Sequence, residues 1–289
     1  MSEGRAPDVI AELGAAVKTA GAELVDVHSD VDHHRSVFTF LGPADVVERA
    51  ALALGAVAIA RIDLRRHAGV HPRVGALDVM PFVPLRGSSM ADAVTAARRV
   101  GGALAAAHAV PVFFYGEAAL RPRWRELPAA RRGGFERLAE RMAEADGAPD
   151  AGPAAPHPSA GASIIGARGP LIAFNAVLDV ADLGTARAVA SAIREAGGGL
   201  SRVRALGVFL PSRALAQVSM NLLDYRVTPV AAACTRVEAE ARRRGATVRE
   251  YELVGCAPHD ALAAWPPDLA PIRNLRPAQL LPSELFAAC

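Results

Sequence analysis

Cysteine is scarce. Cys234, Cys256 and Cys289 are too far apart for a C-x-x-C pair and too few for a disulfide framework. That suits a reducing cytosol, with buried apolar roles expected for the thiols rather than reactive or metal-binding ones. No charge of one sign dominates: 32 basic residues stand against 30 acidic ones for a net +2, and the arginines are scattered without interleaved aromatics. A nucleic-acid-binding surface is therefore not expected. Long apolar runs are missing as well. The uncharged apolar stretch AALALGAVAIA ends at Arg61, well short of a membrane span, and reads as a buried helix. The first residues, MSEGRAPDVIAEL, carry acidic side chains and no apolar core, so no signal peptide is expected. The protein is expected in the cytoplasm, with no membrane partner.

Two further motif classes are absent. The glycine-bearing stretches GASIIGAR, GALAAAH and AGGGLSR have neither G-x-G-x-x-G nor G-x-x-x-x-G-K spacing, so nucleotide binding has no support. Nor is there a G-x-S-x-G elbow, which argues against a serine hydrolase.

What is present is an alternation of helix and strand patterns in a chain that is 52% hydrophobic and 21% charged, as in well-packed globular proteins. Apolar periodicity predicts a helix from Pro7 to about Thr19 and strands at AELVDV and RSVFTFLG. A helix follows from Gly42-Pro43 to about Leu64, then a strand near residues 76–83. SMADAVTAARRVGGALAAAHA reads as helix, VPVFFYG as strand and GGFERLAERMAEAD as helix. Residues 146–162, DGAPDAGPAAPHPSAGA, break the pattern and read most simply as an interdomain linker. Beyond it come the strand GPLIAFNAVLDV, a helix over 182–196, strands VRALGVFL and ALAQVSMNLLDYRV, a helix over 228–244 and the strand VREYELVG. The expected fold is α/β: two α/β subdomains of mixed β-sheet with helices packed on them, residues 1–162 and 163–289, and a ligand groove between them.

Two polar stretches interrupt this apolar pattern. HAGVHPRVGALDVMPFVPL, residues 67–85, sets His67 and His71 four residues apart. Gly69 favours a turn between them and Pro72 pushes His71 toward extended angles, so a shared helical face for metal binding is not expected. A loop feeding a strand is, and it makes His71 and Arg73 the first candidates for chemistry. The second stretch, DVHSDVDHHRS at residues 26–36, concentrates three acids, three histidines and an arginine. It is either a polar surface loop or a metal-dependent hydrolytic site built on His28, Asp32 and His34, though its spacing matches no known metal site. No metal is expected.

Taken in order, RSVFTFLGP, HPRVGALDVMPFVPLRG, VPVFFYGEAA, GASIIGARGPLIAFNAVL and AQVSMNLLDY with ELVG resemble the folate-dependent glutamate formimidoyltransferase (formiminotransferase) family over nearly the whole chain. The resemblance implies two α/β subdomains with a folate tunnel between them. It implies transfer of a formimidoyl group between tetrahydrofolate N5 and the amine of glutamate, as in one-carbon and histidine metabolism. It extends to the transferase region only, without the cyclodeaminase domain, and a homodimer is expected. The histidine of the family's HPR motif, its catalytic residue, falls on His71. The folate-binding segment falls on Gly152, Pro153, Ala154, Ala155, Pro156, His157, Pro158, Ser159, Ala160 and Gly161. Arg35, Arg73 and Arg168 are the inferred partners of substrate carboxylates, since guanidinium forks match them.

Several positions depart from the family. The chain starts at Met-Ser-Glu-Gly where the family has a short strand ending Asn-Phe-Ser-Glu-Gly. His28 stands where the family has an aspartate beside its catalytic histidine, His34-Arg35 replaces Asn-Arg, and Val70 replaces a glutamate. Asp26, Asp30 and Asp32 are candidate replacements for the lost carboxylate, and the expected catalytic set is His71, His28 and Asp26. A different amine acceptor, or a catalytically silent folate-binding paralogue, is the alternative that these departures raise.

Overall fold

Val9, Leu13 and Val17, recurring every four residues, form the buried stripe of helix α1 (Pro7–Thr19), which Pro7 opens in the first turn. In the computed structural model, which describes residues 1–273 and 275–286, this helix belongs to the first of two compact units, Met1–Arg168; the second begins at Gly169. Next come the antiparallel pair β1 (Glu23–Asp30) and β2 (Arg35–Leu41), in which His28 lies opposite Val37 and Asp26 opposite Thr39. Helix α2 (Ala44–Arg61) packs on α1 and on α3 (Met90–His108), whose start is fixed by a capping box between Ser89 and Asp92. Leu13, Leu54 and Leu104 meet in this layer, and each stabilises it by about 2 kcal/mol through burial.

Strands β3 (Val79–Phe82), β4 (Val112–Gly116) and β5 (Ser163–Ala167) form a parallel sheet in the order β3-β5-β4. Every residue of β5 is buried. A parallel strand covered on both faces reads as a continuous apolar run without alternation, which is why SIIGA did not stand out as a strand. It also moves the division between the units: the sequence places it after residue 162, whereas β5 is the centre of the first unit's sheet and the break falls after Arg168.

Two other expectations change. The helix expected over GGFERLAERMAEAD is reduced to α5 (Leu138–Met142), with a four-residue turn of helix, α4 (Leu127–Ala130), ahead of it. Gly133 and Gly134 sit at φ 81° and 65°, left-handed angles that no helix continues through. Residues 146–162 are not a free linker either: Ala151 bridges to Val112, Ser159 O accepts the Leu64 N–H at 2.8 Å and Ala160 O the Ala76 N–H at 2.9 Å.

In the second unit β6 (Ile172–Leu178) runs antiparallel between β8 (Leu215–Leu222) and β9 (Val248–Val254). β7 (Val203–Leu210) pairs with β8. Helices α6 (Leu183–Ile193) and α7 (Val230–Arg242) cover the face formed by Phe174, Ala176, Val218, Met220 and Tyr251. Three two-residue strands, β10 (Ala257–Pro258), β11 (Ile272–Arg273) and β12 (Leu280–Leu281), complete it, β11 extending the sheet beside β9. The mixed sheets with helices on them make the fold α/β. Cys234 is buried and Cys256 half-buried, while Cys289 lies outside the described residues. Among the described residues no helix is long and apolar enough to cross a membrane.

Candidate functional site

The β1–β2 turn organises the first unit's polar cluster. Asp30 Oδ1 accepts the N–H groups of Asp32 (2.8 Å) and His33 (2.7 Å), and His34 takes a left-handed φ of 48°. The loop carrying His71 is tied to this turn by the Val70 N–H, which donates to Asp32 O at 3.0 Å. It comes so close that a Cβ at Gly69 would lie 2.4 Å from His33 O. Gly69 is therefore a close-approach glycine, a role other than the turn expected of it.

His71 is half-buried. Its Nδ1 lies 2.7 Å from Pro72 O. A carbonyl oxygen only accepts, so the proton sits on Nδ1 and the lone pair on Nε2. Burial, and then the positive charges of Arg35 and Arg131, hold the imidazole pKa well below its ordinary value against the opposing pull of Asp78. His71 is thus a neutral ring near pH 7 with its lone pair on Nε2. The ring packed beside it is His33, at a centroid distance of 5.8 Å.

Asp78 is the charge centre of this region. It is fully buried, at φ 56°, and accepts from Val74 N (2.9 Å), Arg35 Nη1 (2.6 Å) and Arg131 Nη2 (2.5 Å). Burial alone would raise its pKa, but the two guanidiniums and the Val74 N–H outweigh it and keep the carboxylate ionised far below the usual range. Arg35, one of the three expected carboxylate binders, is thus placed beside His71 and fastened to a carboxylate of the chain itself.

Arg73 is placed differently. Its guanidinium pairs with both oxygens of Glu136, at 2.9 and 2.7 Å, and its Nε donates to His67 Nδ1 at 2.9 Å. His67 Nε2 in turn donates to His34 O at 2.8 Å, so both its nitrogens are committed in the neutral form, and burial lowers its pKa. The His34 ring stacks on His67, 4.1 Å between centroids and 6° from parallel. Its own nitrogens face Ala68 O and Glu3 Oε1, both at 3.2 Å. His34, one of the three histidines of residues 26–36, is therefore spent on backbone, carboxylate and stacking partners. No group of three His, Cys, Asp or Glu side chains is disposed to hold a metal among the described residues.

A groove of about 420 Å³ opens beside this network, lined by Leu64, His67, Arg73, Phe135, Glu136, Pro156, His157 and Pro158 among others. The expected folate segment thus contributes a wall. Residues 157 and 161 exchange backbone hydrogen bonds of 2.8 and 3.0 Å, His157 Nδ1 accepts the Ala160 N–H at 3.0 Å, and a Cβ on Gly161 would lie 2.1 Å from Val74 O. Gly152, Pro153, Ala154 and Ala155 are exposed at the start of the segment, while Ala160 is buried at its end.

Asp26 is buried on β1, and His28 is half-buried on the same strand with its pKa lowered by burial. Asp78 is a carboxylate that acts on His71, and His33 is a ring packed beside it. Arg168 directly follows β5, where its N–H donates to Phe82 O at 3.1 Å, and it is not among the residues lining the groove. Sequence reasoning passed over Asp78, Arg131, Glu3 and Glu136. Asp78 alone had a local signal, as the one charge inside the apolar run VGALDVMPF.

Comparison with known proteins matches residues 1–168 to the N-terminal subdomain of the formiminotransferase domain, and residues 173–265 to the formiminotransferase domain. The chain is 39% identical over 262 residues to the glutamate formimidoyltransferase of Streptococcus pyogenes serotype M1, covering 90% of this chain and 88% of that protein. Identity to the glutamate formimidoyltransferase of Thermoplasma acidophilum is 41% over 264 residues, covering 90% and 87%. With the formimidoyltransferase-cyclodeaminase of Sus scrofa it is 43% over 269 residues, 90% of this chain but 49% of that protein, so the chain spans about half the length of relatives of that kind. With the HPR loop, the carboxylate-held arginines and the proline-walled groove in one unit, these matches show that the chain belongs to the formiminotransferase family and is a transferase of one-carbon groups.

Proposed function

We propose that the protein moves a formimidoyl group between N5 of a tetrahydrofolate and the amine of glutamate, with His71 as the general acid and base. The observation that carries this reading is the tautomer of His71: Nδ1–H is held by Pro72 O, so Nε2 carries the free lone pair. The acceptor nitrogen forms a bond to the formimidoyl carbon and the bond from that carbon to N5 breaks. Nε2 takes the proton released by the attacking nitrogen and returns one to the leaving nitrogen, so the ring ends as it began. The reverse transfer uses the same steps in the opposite order.

The groove supports the folate part of this reading. Its volume of about 420 Å³ lies in the range of small-molecule sites. Leu64, Phe135, Pro156 and Pro158 offer apolar surface to flat rings, while His67, His157 and Arg73 supply a few polar groups. Bound folate supplies the nitrogen that carries the one-carbon unit. Glutamate stands in the names of the relatives and is the acceptor proposed here. The second reading, a different amine, rests on His28 and Val70 standing where the family has carboxylates.

The test follows transfer from 5-formimidoyltetrahydrofolate to glutamate by wild type, His71→Ala and His71→Asn, with circular dichroism to verify the fold. Loss of about 100-fold or more in rate is expected for both variants. A folded His71→Ala protein with the wild-type rate would falsify the reading. Competition among glutamate, aspartate and glycine at equal concentration decides the acceptor.

A further inference from the structure

We infer that Arg131, held against Asp78 beside Arg35, is a substrate-binding residue that receives a carboxylate of the acceptor next to His71. The inference deepens the proposed function and rests on His71 marking the reaction site.

The argument starts from charge. Arg35 and Arg131 both donate to one oxygen, Asp78 Oδ2, at 2.6 and 2.5 Å, and their side chains are only 17% and 15% exposed. Two guanidiniums against one carboxylate leave one positive charge in excess. The charges with the largest effect on His71 are those of Arg35 and Arg131, opposed by Asp78. An excess buried cation is costly unless an anion meets it.

Hydrogen bonding points the same way. A guanidinium carries five N–H donors, and Asp78 accepts one of them from each arginine. Arg131 Nε is buried with no hydrogen-bond partner among the described residues. A buried, unpaired N–H on a guanidinium already steadied by Asp78 is matched by a carboxylate, which guanidinium groups bind in paired geometry. Asp78 acts here as a positioning residue: it holds the two arginines side by side and cancels half of their charge. Arg73 is a weaker candidate for the same task, because Glu136 already occupies both prongs of its fork.

The test measures binding of glutamate by calorimetry, with and without 5-formyltetrahydrofolate, alongside the transfer assay, for wild type, Arg131→Gln, Arg131→Lys and His71→Ala. Arg131→Gln should weaken glutamate binding and raise its KM by about 10- to 100-fold while kcat falls much less. Arg131→Lys, which keeps the charge but loses the fork, should lie between. Folate affinity should stay within about twofold, separating this role from a general loss of structure. If His71→Ala loses transfer but Arg131→Gln binds glutamate like wild type, the carboxylate lies elsewhere and this inference falls while the proposed function stands. Absence of glutamate binding to wild type overturns it as well. If wild type binds glutamate in an Arg131-dependent way yet transfers no formimidoyl group, the proposed function fails and the binding site remains.

Discussion

Arg35 Nη1 donates to Asp78 Oδ2 at 2.6 Å, joining β2 to the loop that carries His71. Because Asp78 also holds Arg131 and the Val74 N–H, one carboxylate fixes three segments far apart in sequence. Its φ of 56° is a conformation in which a non-glycine residue is rare and costs about 1–3 kcal/mol. The fold retains that strain where the charges converge.

Asp78→Asn removes the charge and leaves two buried guanidiniums without their counter-ion. A loss of about 3–5 kcal/mol in stability is expected, read by urea unfolding at pH 7. The pH dependence carries the same signature. Burial opposes ionisation of Asp78, but Arg131 and Arg35 depress its pKa well below the unfolded carboxylate value. Its contribution is therefore complete above about pH 4 and is lost as pH falls through the folded pKa. Asp78→Asn should flatten the acid limb of the stability profile relative to wild type, and an unchanged acid limb would refute this assignment.

Much of this arrangement was legible from local chemistry. Pro72 and Gly69 marked the His71 segment as a loop, and the alternating and helical periods located most of the longer elements. β5 was missed because a strand buried on both faces has no alternation to detect. The break at Gly133 and Gly134 was missed because the apolar spacing after them remained helical. Arg131 has no signal of its own in AARRGG; it becomes significant only when folding brings Asp78, 53 residues away in the chain, within 2.5 Å. The linker reading failed for a related reason, since proline and glycine report on backbone conformation and not on what the backbone is fastened to.

Gly161→Ala tests the groove wall. Its φ of 68° already disfavours a side chain, and a Cβ there would lie 2.1 Å from Val74 O. Strain alone predicts a loss of about 1–3 kcal/mol, and displacement of the wall predicts weaker folate binding. Thermal melting and fluorescence titration with tetrahydrofolate read the two effects. Wild-type values in both would show that the wall is more yielding than its hydrogen bonds imply.

Glu136→Gln separates stability from binding at the same groove. Its carboxylate is 63% exposed, and ion pairs of this kind contribute at most about 1 kcal/mol. Stability should therefore change by less than that. Arg73, freed from its charged partner, should bind the anionic tail of folate more tightly, and a fall in folate affinity would argue against Arg73 as a ligand.

Arg141→Met is expected to preserve or raise stability. Arg141 is 2% exposed, and its three guanidinium nitrogens have no hydrogen-bond partner among the described residues. It lies over Phe113 at 4.5 Å and near Trp124 at 5.3 Å. Burial and then the charges of Arg123 and Arg132 lower its pKa to about 10, which still leaves it protonated at neutral pH. The stacking contributes about 0.5–2 kcal/mol, less than the cost of an unpaired buried charge. Methionine keeps the apolar contact without that cost, so the melting temperature should be equal or higher. A clear drop would mean that the aromatic faces satisfy the cation.

The pH profile of transfer offers the sharpest check on His71. Burial first, then Arg35 and Arg131, with a smaller effect of His33, lower its pKa well below the ordinary imidazole value, while Asp78 pulls it upward. As pH falls, the ring therefore stays neutral past the point where a free histidine would protonate, and the acid limb that His71 sets in the pH profile of kcat should lie below the ordinary imidazole value. The accompanying stability has the same sign: it is complete above the unfolded value of about 6.5 and is lost as pH falls through the folded pKa. Arg131→Gln removes one of the charges that depress the ring, so its acid limb should move to higher pH, toward but not beyond the ordinary value, because burial remains. An acid limb already at the ordinary imidazole value in wild type, or one that Arg131→Gln leaves in place, would separate His71 from the proton transfer or Arg131 from His71.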